Sequence, residues 1–417
     1  MNINLHIAKK IGSKLGSNKK RISSISNLIA IISIAISMFV IVIAVVISDG
    51  FKKEISDKVS GFSGELNLMY PGTRIGEVKY PIDKRFDYLD DIKNIDGVTS
   101  INGVAYVPGM LQTSLEVQAV FFKGVDSFYD MSFFEKHLVK GHIPNLSTEK
   151  SSKEILISKR LAKMLNFDIG DKIYAYFVSD QVKARRFIIS GIYSIQLEQI
   201  DKTLVVTDIR QVQQLNKWSK NQVSNIEIRL DDQISDNERD EIKSQIDNLI
   251  ISSSDENSDV VLTDIHKTYA HLFDWLGLLD FNVGAILLLM IIVAGFNMVS
   301  SLLIILFEKI SMIGLLKSLG MRDRSIRHIF IYRGGSLLVK GMLIGDAIAI
   351  VFSIVQYYFE ILKLNPVNYF VDHVPIYFNV SSFLLLNGLA FIIIMLILII
   401  PSQYIARVSP EKTMRVK

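Results

Sequence analysis

Four long apolar stretches dominate the hydrophobic pattern of this chain. They cover residues 25–48, 281–307, 334–359 and 381–404. Each stretch is long enough to cross a hydrocarbon core of about 30 Å as an α-helix. Residues 49–280, between the first two stretches, mix polar and apolar positions as water-soluble domains do. The pattern predicts a membrane protein with four transmembrane helices and a large domain inserted between helices 1 and 2.

Helical periodicity continues from the apolar stretches into the domain. Phe51, Ile55 and Val59 recur at four-residue spacing among charged residues, which is typical of an amphipathic helix. A second amphipathic segment covers 266–279 and leads into the second apolar stretch. We therefore predict two helical stalks, one at each end of the 49–280 domain.

Strand-like alternation occupies much of the domain between the stalks. Several short alternating segments fall within 126–216, and they predict a mostly-β subdomain. Two further strands, near 225–230 and 260–263, flank a predicted helix at 237–250. We expect these late strands to rejoin the sheet formed by the first part of the domain. The 126–216 block is then an insertion in an α+β domain.

Basic residues are concentrated beside the apolar stretches. The chain of 417 residues has a formal net charge of +4. Lysines and arginines crowd residues 1–24, the 308–333 loop and the C-terminal tail, whereas the 360–380 loop holds only Lys363. By the positive-inside rule both termini and the 308–333 loop are cytoplasmic, so the inserted domain is extracytoplasmic. We assign the basic clusters to this topology and predict no nucleic-acid partner.

The residues that catalysis or cofactor binding requires are not arranged for it here. The chain has no cysteine, which excludes disulfides and a cysteine nucleophile. It contains no G-x-x-x-x-G-K-[ST] motif, so it lacks a P-loop. Its seven histidines show no metal-ligand spacing. We predict a protein that is not an enzyme and that binds neither a metal nor a cofactor.

The 308–333 loop contains an amphipathic segment that ends at Gly320, a residue suited to a helix C-cap. Its apolar positions form one face of a helix: Met312, Ile313, Leu315, Leu316 and Leu319. Two interpretations fit this periodicity. The helix either lies on the membrane surface or docks into a groove of a cytoplasmic partner.

Polar and small residues also occur inside the third apolar stretch. Gly341 and Gly345 form a G-x-x-x-G motif, which predicts close packing against another helix. Lys340 and Asp346 flank the motif. Lys340 can extend toward the interface, and Asp346 can pair within the helix bundle, so we favour a packing role over a transport role.

The segment "FNMVSSLLIILFEKISMIGLLKSLGMRDRSIRHIFIYRG" resembles the core signature of the FtsX/MacB-type ABC transporter permeases, and in particular the lipoprotein-releasing LolC/LolE branch. "SDGFKKEISDKVSGFSGEL" resembles the stalk that follows the first span in that branch. "EILISKRLAKMLNFDIGDKIYAYF" resembles its pattern of strand, small helix and turn, and "PSQYIARVSPEKTMRVK" resembles its tail. The ordered set covers most of the chain.

The resemblance implies a MacB-like domain at 49–280, an FtsX-like permease domain at 281–417, and a coupling helix at 308–320 seated on an ATPase subunit. The implied coupling residues are Glu308, Lys309, Met312, Ile313, Leu316, Lys317, Leu319 and Gly320. The implied complex contains two permease subunits, identical or different, and an ATPase dimer that binds ATP and Mg²⁺.

The resemblance also implies a periplasmic carrier that docks on a long, proline-bearing hairpin. The matching stretch here, 178–186, is short and lacks proline. Only Arg185 and Arg186 match the basic end of that hairpin.

We therefore expect a permease subunit in the cell inner membrane that passes lipoproteins to a periplasmic carrier, with acyl chains bound beside spans 1 and 2. The residues expected to line that lipid site are Ile36, Phe39, Val40, Ile43, Ile47, Val283, Leu287 and Met290. Three alternatives remain open at this point. They are an exporter permease for peptides or drugs, a non-transporting mechanotransmitter that regulates a cell-wall hydrolase, and a membrane-anchored scaffold without an ATPase.

Overall fold

The computed structural model describes residues 20–73, 80–113, 116–147, 150–178, 181–231, 234–252 and 260–406, with the side chains of 20–26, 236 and 402–406 left out. The basic clusters predicted before residue 20 and after residue 406 lie outside the described residues. The chain divides into two compact units. The membrane unit comprises the chain up to Lys52, Leu276–Lys363, and the chain from Val374 onward; the domain unit comprises Lys53–Trp275 and Leu364–His373.

The helices of the described chain are α1 (Lys20–Ser63), α2 (Leu89–Lys93), α3 (Ser132–Lys136), α4 (Lys159–Leu165), α5 (Glu198–Thr203), α6 (Ile209–Asn216), α7 (Asp236–Ser252), α8 (Ile265–Thr268), α9 (Ala270–Glu308), α10 (Ile310–Ser318), α11 (Asp323–Phe359), α12 (Pro366–Tyr369) and α13 (Val380–Ala406). Four of them are long and apolar enough to cross a membrane: α1, α9, α11 and α13.

The strands are β1 (Leu66–Met69), β2 (Ile82–Asp83), β3 (Val98–Gln112), β4 (Val117–Val125), β5 (Leu138–Gly141), β6 (Glu154–Ser158), β7 (Lys172–Val178), β8 (Val182–Tyr193), β9 (Leu204–Asp208), β10 (Gln222–Val223), β11 (Asn225–Leu230) and β12 (Val261–Asp264). All of them lie between α1 and α9. The chain therefore has the predicted α+β domain inserted between its first two membrane helices.

Small residues bring α1 and α11 into close contact in the membrane unit. A Cβ atom added at Gly341 would lie 2.6 Å from the Cβ of Ile34, and one added at Gly345 would overlap the carbonyl oxygen of Ala35. No larger residue fits at either position without displacing α1. The G-x-x-x-G motif thus packs α11 against α1.

Polar contacts pair α1 with α9 at two levels of the membrane unit. The Asn297 amide donates a hydrogen bond to the Ser33 hydroxyl. Asp280 accepts from the Ser48 hydroxyl at 3.2 Å and pairs with the Lys52 ammonium at 2.6 Å. Spans 1 and 2 of one chain are therefore direct neighbours.

The stalk ends of the domain unit meet a four-stranded sheet in the order β12-β1-β11-β3. β1 pairs antiparallel with both β11 and β12, so the late strands rejoin the early sheet as predicted. Leu66 and Leu68 of β1 are fully buried, in a core that also holds Ile92 of α2 and Ile246 of α7. This sheet fixes the first stalk through β1 and the second stalk through β12.

Strands β4, β6, β7, β8 and β9 close with the second half of β3 into a six-stranded barrel. Strand β5 pairs with β8 at its edge, and β2 and β10 form a separate two-stranded sheet. The pairings run β3-β4-β9-β6-β8-β7, and β7 returns to β3 through Met110–Tyr176 and Leu111–Ala175. Rings of Phe122, Phe177 and Phe187 pack together inside it, with centroids 5.0–6.5 Å apart.

The predicted β block is too short at its start. It was placed at 126–216, but the barrel also contains β4 and the second half of β3. Strand β3 runs for 15 residues, so its first half pairs with β11 and its second half with β4. One continuous strand therefore joins the sheet to the barrel, which a block defined by sequence segments does not capture.

Candidate functional sites

Helix α10 lies in the loop where the coupling helix was predicted. It ends at Ser318, and Gly320 follows in the left-handed region with a φ of +87°. The Met321 amide donates to the Leu316 carbonyl at 3.0 Å, which closes the helix end as a Schellman-type cap. Lys317 pairs with Asp323 in the first turn of α11 at 2.9 Å. The short helix is thereby tied to the start of the third span.

One residue of the predicted docking face of α10 is covered by the rest of the chain. Ile313 is fully buried in the membrane unit's own core, so it is not available to a partner and its inclusion was wrong. Leu315 and Leu319, one turn apart, are 58% and 75% exposed. Periodicity shows that a helix has an apolar face. It does not show which residues of that face are buried by the rest of the chain, because that depends on tertiary packing.

The remaining predicted coupling residues lie around this exposed pair. Met312, Leu316 and Lys317 are half-buried along α10. Glu308 and Lys309, also half-buried, form the junction between α9 and α10.

The predicted lipid-contact residues are mostly half-buried. On α1, Ile36 is 56% exposed, and the others are partly covered: Phe39, Val40, Ile43 and Ile47. On α9, Leu287 and Met290 pack against the membrane core, and Val283 is also half-buried. The neighbouring Leu288 is 63% exposed, so the open face of α9 is rotated away from the predicted one.

A wide apolar cleft in the membrane unit lies apart from the predicted lipid-contact residues. It has a volume of about 500 Å³ and is bounded by α9 and α13. Its lining residues are Ile292, Phe296, Val299, Leu303, Ile397, Ile400 and Pro401. This cleft shares no residue with the predicted lipid site.

The basic pair predicted for carrier docking lies on the β7–β8 hairpin. Arg186 is exposed and pairs across the strands with Tyr174, while Arg185 is half-buried opposite Ala175. The outward face of the hairpin is apolar around Arg186: Tyr174, Val178 and Val182 are 52%, 63% and 66% exposed.

A buried ionic cluster, which the sequence analysis missed, lies between the sheet and the first stalk. Lys123 of β4 donates to both carboxylate oxygens of Glu227 of β11, at 2.7 and 2.8 Å. The hydroxyls of Tyr106 and Tyr129 donate to the same carboxylate at 3.3 and 3.1 Å. Burial lowers the pKa of the Lys123 ammonium to about 8, although the charge of Glu227 acts in the opposite direction.

This cluster caps the C-terminal end of α1. Lys123 donates to the carbonyl of Phe62, and Arg229 donates to the carbonyl of Gly61 at 2.6 Å. These carbonyls belong to the last turn of the helix, where cations interact favourably with the helix dipole. The first stalk is therefore held to the domain by two cations. A charged residue inside the apolar strand "VQAVFFKGV" was the available sequence signal.

A second buried carboxylate fixes the turn before α5. Asp201 accepts from the backbone amides of Gln196 at 2.9 Å and Ile195 at 3.3 Å, and Gln196 has a φ of +69°. Burial raises the pKa of Asp201 from 3.8 to about 6. Nearby backbone donors oppose this shift without cancelling it.

We expect Asp201 to make the domain less stable as the pH rises. A folded-state pKa above the unfolded one means that the folded domain binds the proton more tightly, so this contribution is present below about pH 4 and is lost as the pH rises through about 6. The full difference is about 3 kcal/mol, at about 1.4 kcal/mol per pKa unit. The free energy of unfolding, measured by denaturant unfolding at several pH values between 7 and 5, should rise as the pH falls in the wild type. Asp201→Asn should remove this dependence on pH. Equal slopes in both proteins would contradict the assignment.

Within the described ranges, no three histidine or acidic side chains come together as a metal site would require. Asp346 is 9% exposed beside Asn387 of α13, and Lys340 is exposed on α11.

Comparisons with known proteins cover both units. Residues 28–248 match the model of the MacB-like periplasmic core domain, and residues 284–410 match that of the FtsX-like permease C-terminal region. The lipoprotein-releasing system transmembrane protein LolC of Xylella fastidiosa (strain Temecula1) is 21% identical over 97% of this chain and 98% of its own length. LolE of Haemophilus influenzae is 20% identical over 92% of each chain.

Among solved structures, the periplasmic region of MacB from Actinobacillus actinomycetemcomitans aligns with 52% of this chain and 95% of its own, at 12% identity and a TM-score of 0.33. Because the MacB-like model alone matches more than half of the residues, the chain belongs to the FtsX/MacB-type family of ABC transporter permeases. It is a multi-pass membrane protein in which the family's periplasmic-type domain separates the first two spans.

Proposed function

We propose that this chain is a permease subunit of an ABC transporter that extracts outer-membrane-directed lipoproteins from the inner membrane and passes them to a periplasmic carrier. The observation that carries the proposal is the near-complete overlap with relatives named for lipoprotein release. LolC and LolE match over 92–97% of this chain, through both the membrane helices and the inserted domain. An isolated domain match would not distinguish this transporter from other members of the family.

In the proposed topology both termini and α10 are cytoplasmic, and the domain unit is periplasmic. The basic residues beside the spans support this orientation by the positive-inside rule. The α10–α11 junction carries Lys317, Arg322, Arg324 and Arg327, whereas the 360–380 loop carries only Lys363.

In this proposal α10 transmits conformational changes of an ATPase subunit to the membrane helices. Leu315 and Leu319 present an exposed apolar pair on a short helix tied to α11, which fits docking of a helix into a groove of a separate ATPase subunit. ATP and Mg²⁺ bind to that ATPase dimer, because the chain itself has no P-loop. A second permease subunit, the same or different, completes the complex.

We place the acyl chains of the substrate along the outer halves of α1 and α9. Both helices are apolar there and both continue into the domain, so that movement of the domain reaches them first. Each buried CH₂ group stabilises the bound lipid by about 0.8 kcal/mol. Release of several long chains therefore requires an external energy source and an acceptor.

We place the carrier contact on the outward face of the β7–β8 hairpin. The exposed side chains of Tyr174, Val178 and Val182 provide an apolar surface, and Arg186 adds a charge beside it. This combination is typical of a transient protein interface.

Photocrosslinking in reconstituted vesicles tests the proposal. We expect a crosslinker at Ile43 or Leu288 to capture an acylated lipoprotein without ATP and to lose it when ATP and a soluble carrier are added. The matched control is Leu343, which is 64% exposed and lies on α11, a helix that contributes no residue to the proposed lipid site. Equal capture at Leu343, or capture that ATP leaves unchanged, would contradict a release function. ATP-dependent activation of a cell-wall hydrolase instead would favour the mechanotransmitter.

A further inference from the structure

The segment between spans 3 and 4 belongs to the domain unit. Leu364–His373 groups with the domain, while the residues before and after it group with the membrane helices. The sequence predicted two connections between spans and domain, namely the two stalks. The chain instead passes between the units at four points, after residues 52, 275, 363 and 373.

The 364–373 segment has a fixed internal structure. Leu364 donates its amide to the Asp372 carbonyl at 2.8 Å, which closes the segment at its neck. Between them, the Asn365 side chain caps α12, and Phe370 ends it with a φ of +62°. Such a closed loop can transmit a displacement of its ends, whereas a flexible linker of the same length cannot.

Three side chains attach this segment to the rest of the domain. Lys58 of the first stalk donates to the Phe370 carbonyl at 3.1 Å and to the Gln196 side-chain oxygen at 2.9 Å. Gln196 in turn donates to the Asp372 carboxylate at 2.9 Å. The Phe370 ring packs edge-on against Trp275 of the second stalk, with centroids 5.5 Å apart. We call Lys58, Gln196, Phe370 and Asp372 the clasp.

The chemistry of the clasp makes it a specific connection. Lys58 is only 4% exposed, so its ammonium depends on these acceptors and on Glu54 at 3.4 Å. Gln196 uses its oxygen toward Lys58 and its nitrogen toward Asp372, an arrangement that no other side chain of similar size reproduces. The turn that presents Gln196 is itself held by buried Asp201.

The residues on either side of the 364–373 segment, Leu362 and Val374, are hydrogen-bonded to the third membrane helix. Gln356, near the end of α11 and 2% exposed, accepts from the Leu362 amide at 3.0 Å and donates to the Val374 carbonyl at 3.2 Å. Val374 also donates its amide to the Leu362 carbonyl at 2.9 Å. The chain on both sides of the segment is thus fixed to the last turns of α11.

We propose that the clasp is a third force-bearing connection, which carries movement of α10 and α11 to the domain in parallel with the two stalks. The route follows one continuous stretch of chain from α10 to the loop. Helix α10 is tied to α11 by Lys317–Asp323, and α11 is a single helix to Phe359. The loop that follows then contacts Lys58 and Gln196 through Phe370 and Asp372. The clasp residues are positioning residues that touch no substrate. The inference rests on the proposed function for its direction of force, from ATPase to domain.

The first test measures coupling. Gln196→Leu removes both hydrogen bonds at similar volume, and Gln199→Leu, at an exposed position on α5, is the matched control. In vesicles with the partner ATPase, lipoprotein released per ATP hydrolysed should fall by about fivefold or more in Gln196→Leu, within the usual range of coupling factors, and should not change in Gln199→Leu. Acyl-chain crosslinking at Ile43 should persist, because the lipid site is intact.

A covalent replacement of the clasp separates coupling from simple loss of structure. The chain has no cysteine, so Gln196→Cys with Asp372→Cys provides a unique pair for a short bis-maleimide. Crosslinking this double variant should restore the ratio of release to hydrolysis that the uncrosslinked form has lost. A ratio unchanged in Gln196→Leu, or a loss that crosslinking does not restore, overturns the proposal.

Hydrogen exchange decides the question without lipoprotein. ATP should alter amide exchange in the domain strands of the wild-type complex, and Gln196→Leu should weaken that response while leaving the response of α10 and α11 intact. If the wild type releases no lipoprotein but shows this pattern, the proposed function fails and the clasp stands. If the domain responds equally in wild type and variant, the clasp is wrong.

Discussion

Replacing Lys123 by methionine is expected to lower the free energy of unfolding of the domain by about 3–5 kcal/mol. The variant leaves the Glu227 carboxylate in the core without its countercharge, where the side chains of the pair are 0% and 1% exposed. It also removes a donor from the last turn of α1. The two tryptophans of the chain, Trp218 and Trp275, both lie in the domain unit, so their fluorescence reports its unfolding in denaturant.

The matched control is an ion pair of the same chemistry at the surface. Lys140 and Asp168 approach to 2.6 Å, but their side chains are 56% and 62% exposed. Lys140→Met should therefore cost less than about 1 kcal/mol. Combining Lys123→Met with Glu227→Met should recover part of the loss, because the unpaired charge is gone. Similar costs for Lys123→Met and Lys140→Met would show that the buried pair is not what holds the stalk.

Local periodicity predicted the elements well because it depends on nearby residues. The strand expected near 225–230 is β11, and the helix expected near 237–250 is α7. The four spans were predicted from hydrophobic length alone, which a bilayer constrains strongly. The expectation that the late strands return to the early sheet is also confirmed, because β1 pairs with both β11 and β12.

Contacts between distant parts of the chain were beyond such reasoning. Gln196 and Asp372 are 176 positions apart, and Lys58 and Phe370 are 312 apart. A glutamine in a turn or a lysine on a stalk looks solvated until the partner segment is placed. The same limit explains why the β block predicted at 126–216 was too short: the second half of β3 belongs to the barrel only through its pairing with β4 and with β7, the latter through two residue pairs.

For the candidate coupling face of α10, the sequence likewise predicted local features but not tertiary contacts. The apolar stripe on α10 was identifiable from spacing, and so was the glycine that follows its end, Gly320. The burial of Ile313 was not, because it depends on how the membrane helices pack around it. The structure thereby separates Ile313, which holds α10 in place, from Leu315 and Leu319, which stay exposed.

Leu315→Glu is expected to abolish coupling to the ATPase while leaving the chain folded. Leu315 is 58% exposed, so a carboxylate there stays hydrated in the free chain, but docking into an apolar groove would bury it at a cost of several kcal/mol. Because 1.4 kcal/mol corresponds to tenfold in affinity, ATPase binding should weaken by about a hundredfold or more. Co-purification with the ATPase and lipoprotein-stimulated ATP hydrolysis both measure this loss.

A pair of alanine substitutions distinguishes docking from folding on the same helix. Ile313→Ala removes a fully buried side chain and should cost about 2–5 kcal/mol of stability, which lowers the amount of folded protein. Leu315→Ala should leave thermal stability unchanged and still weaken ATPase binding, whereas Leu315→Met should retain it. Normal ATPase coupling in Leu315→Glu would mean that this exposed face does not meet the ATPase. The membrane-surface interpretation of α10 would then be the better one, because a carboxylate at its edge remains hydrated there.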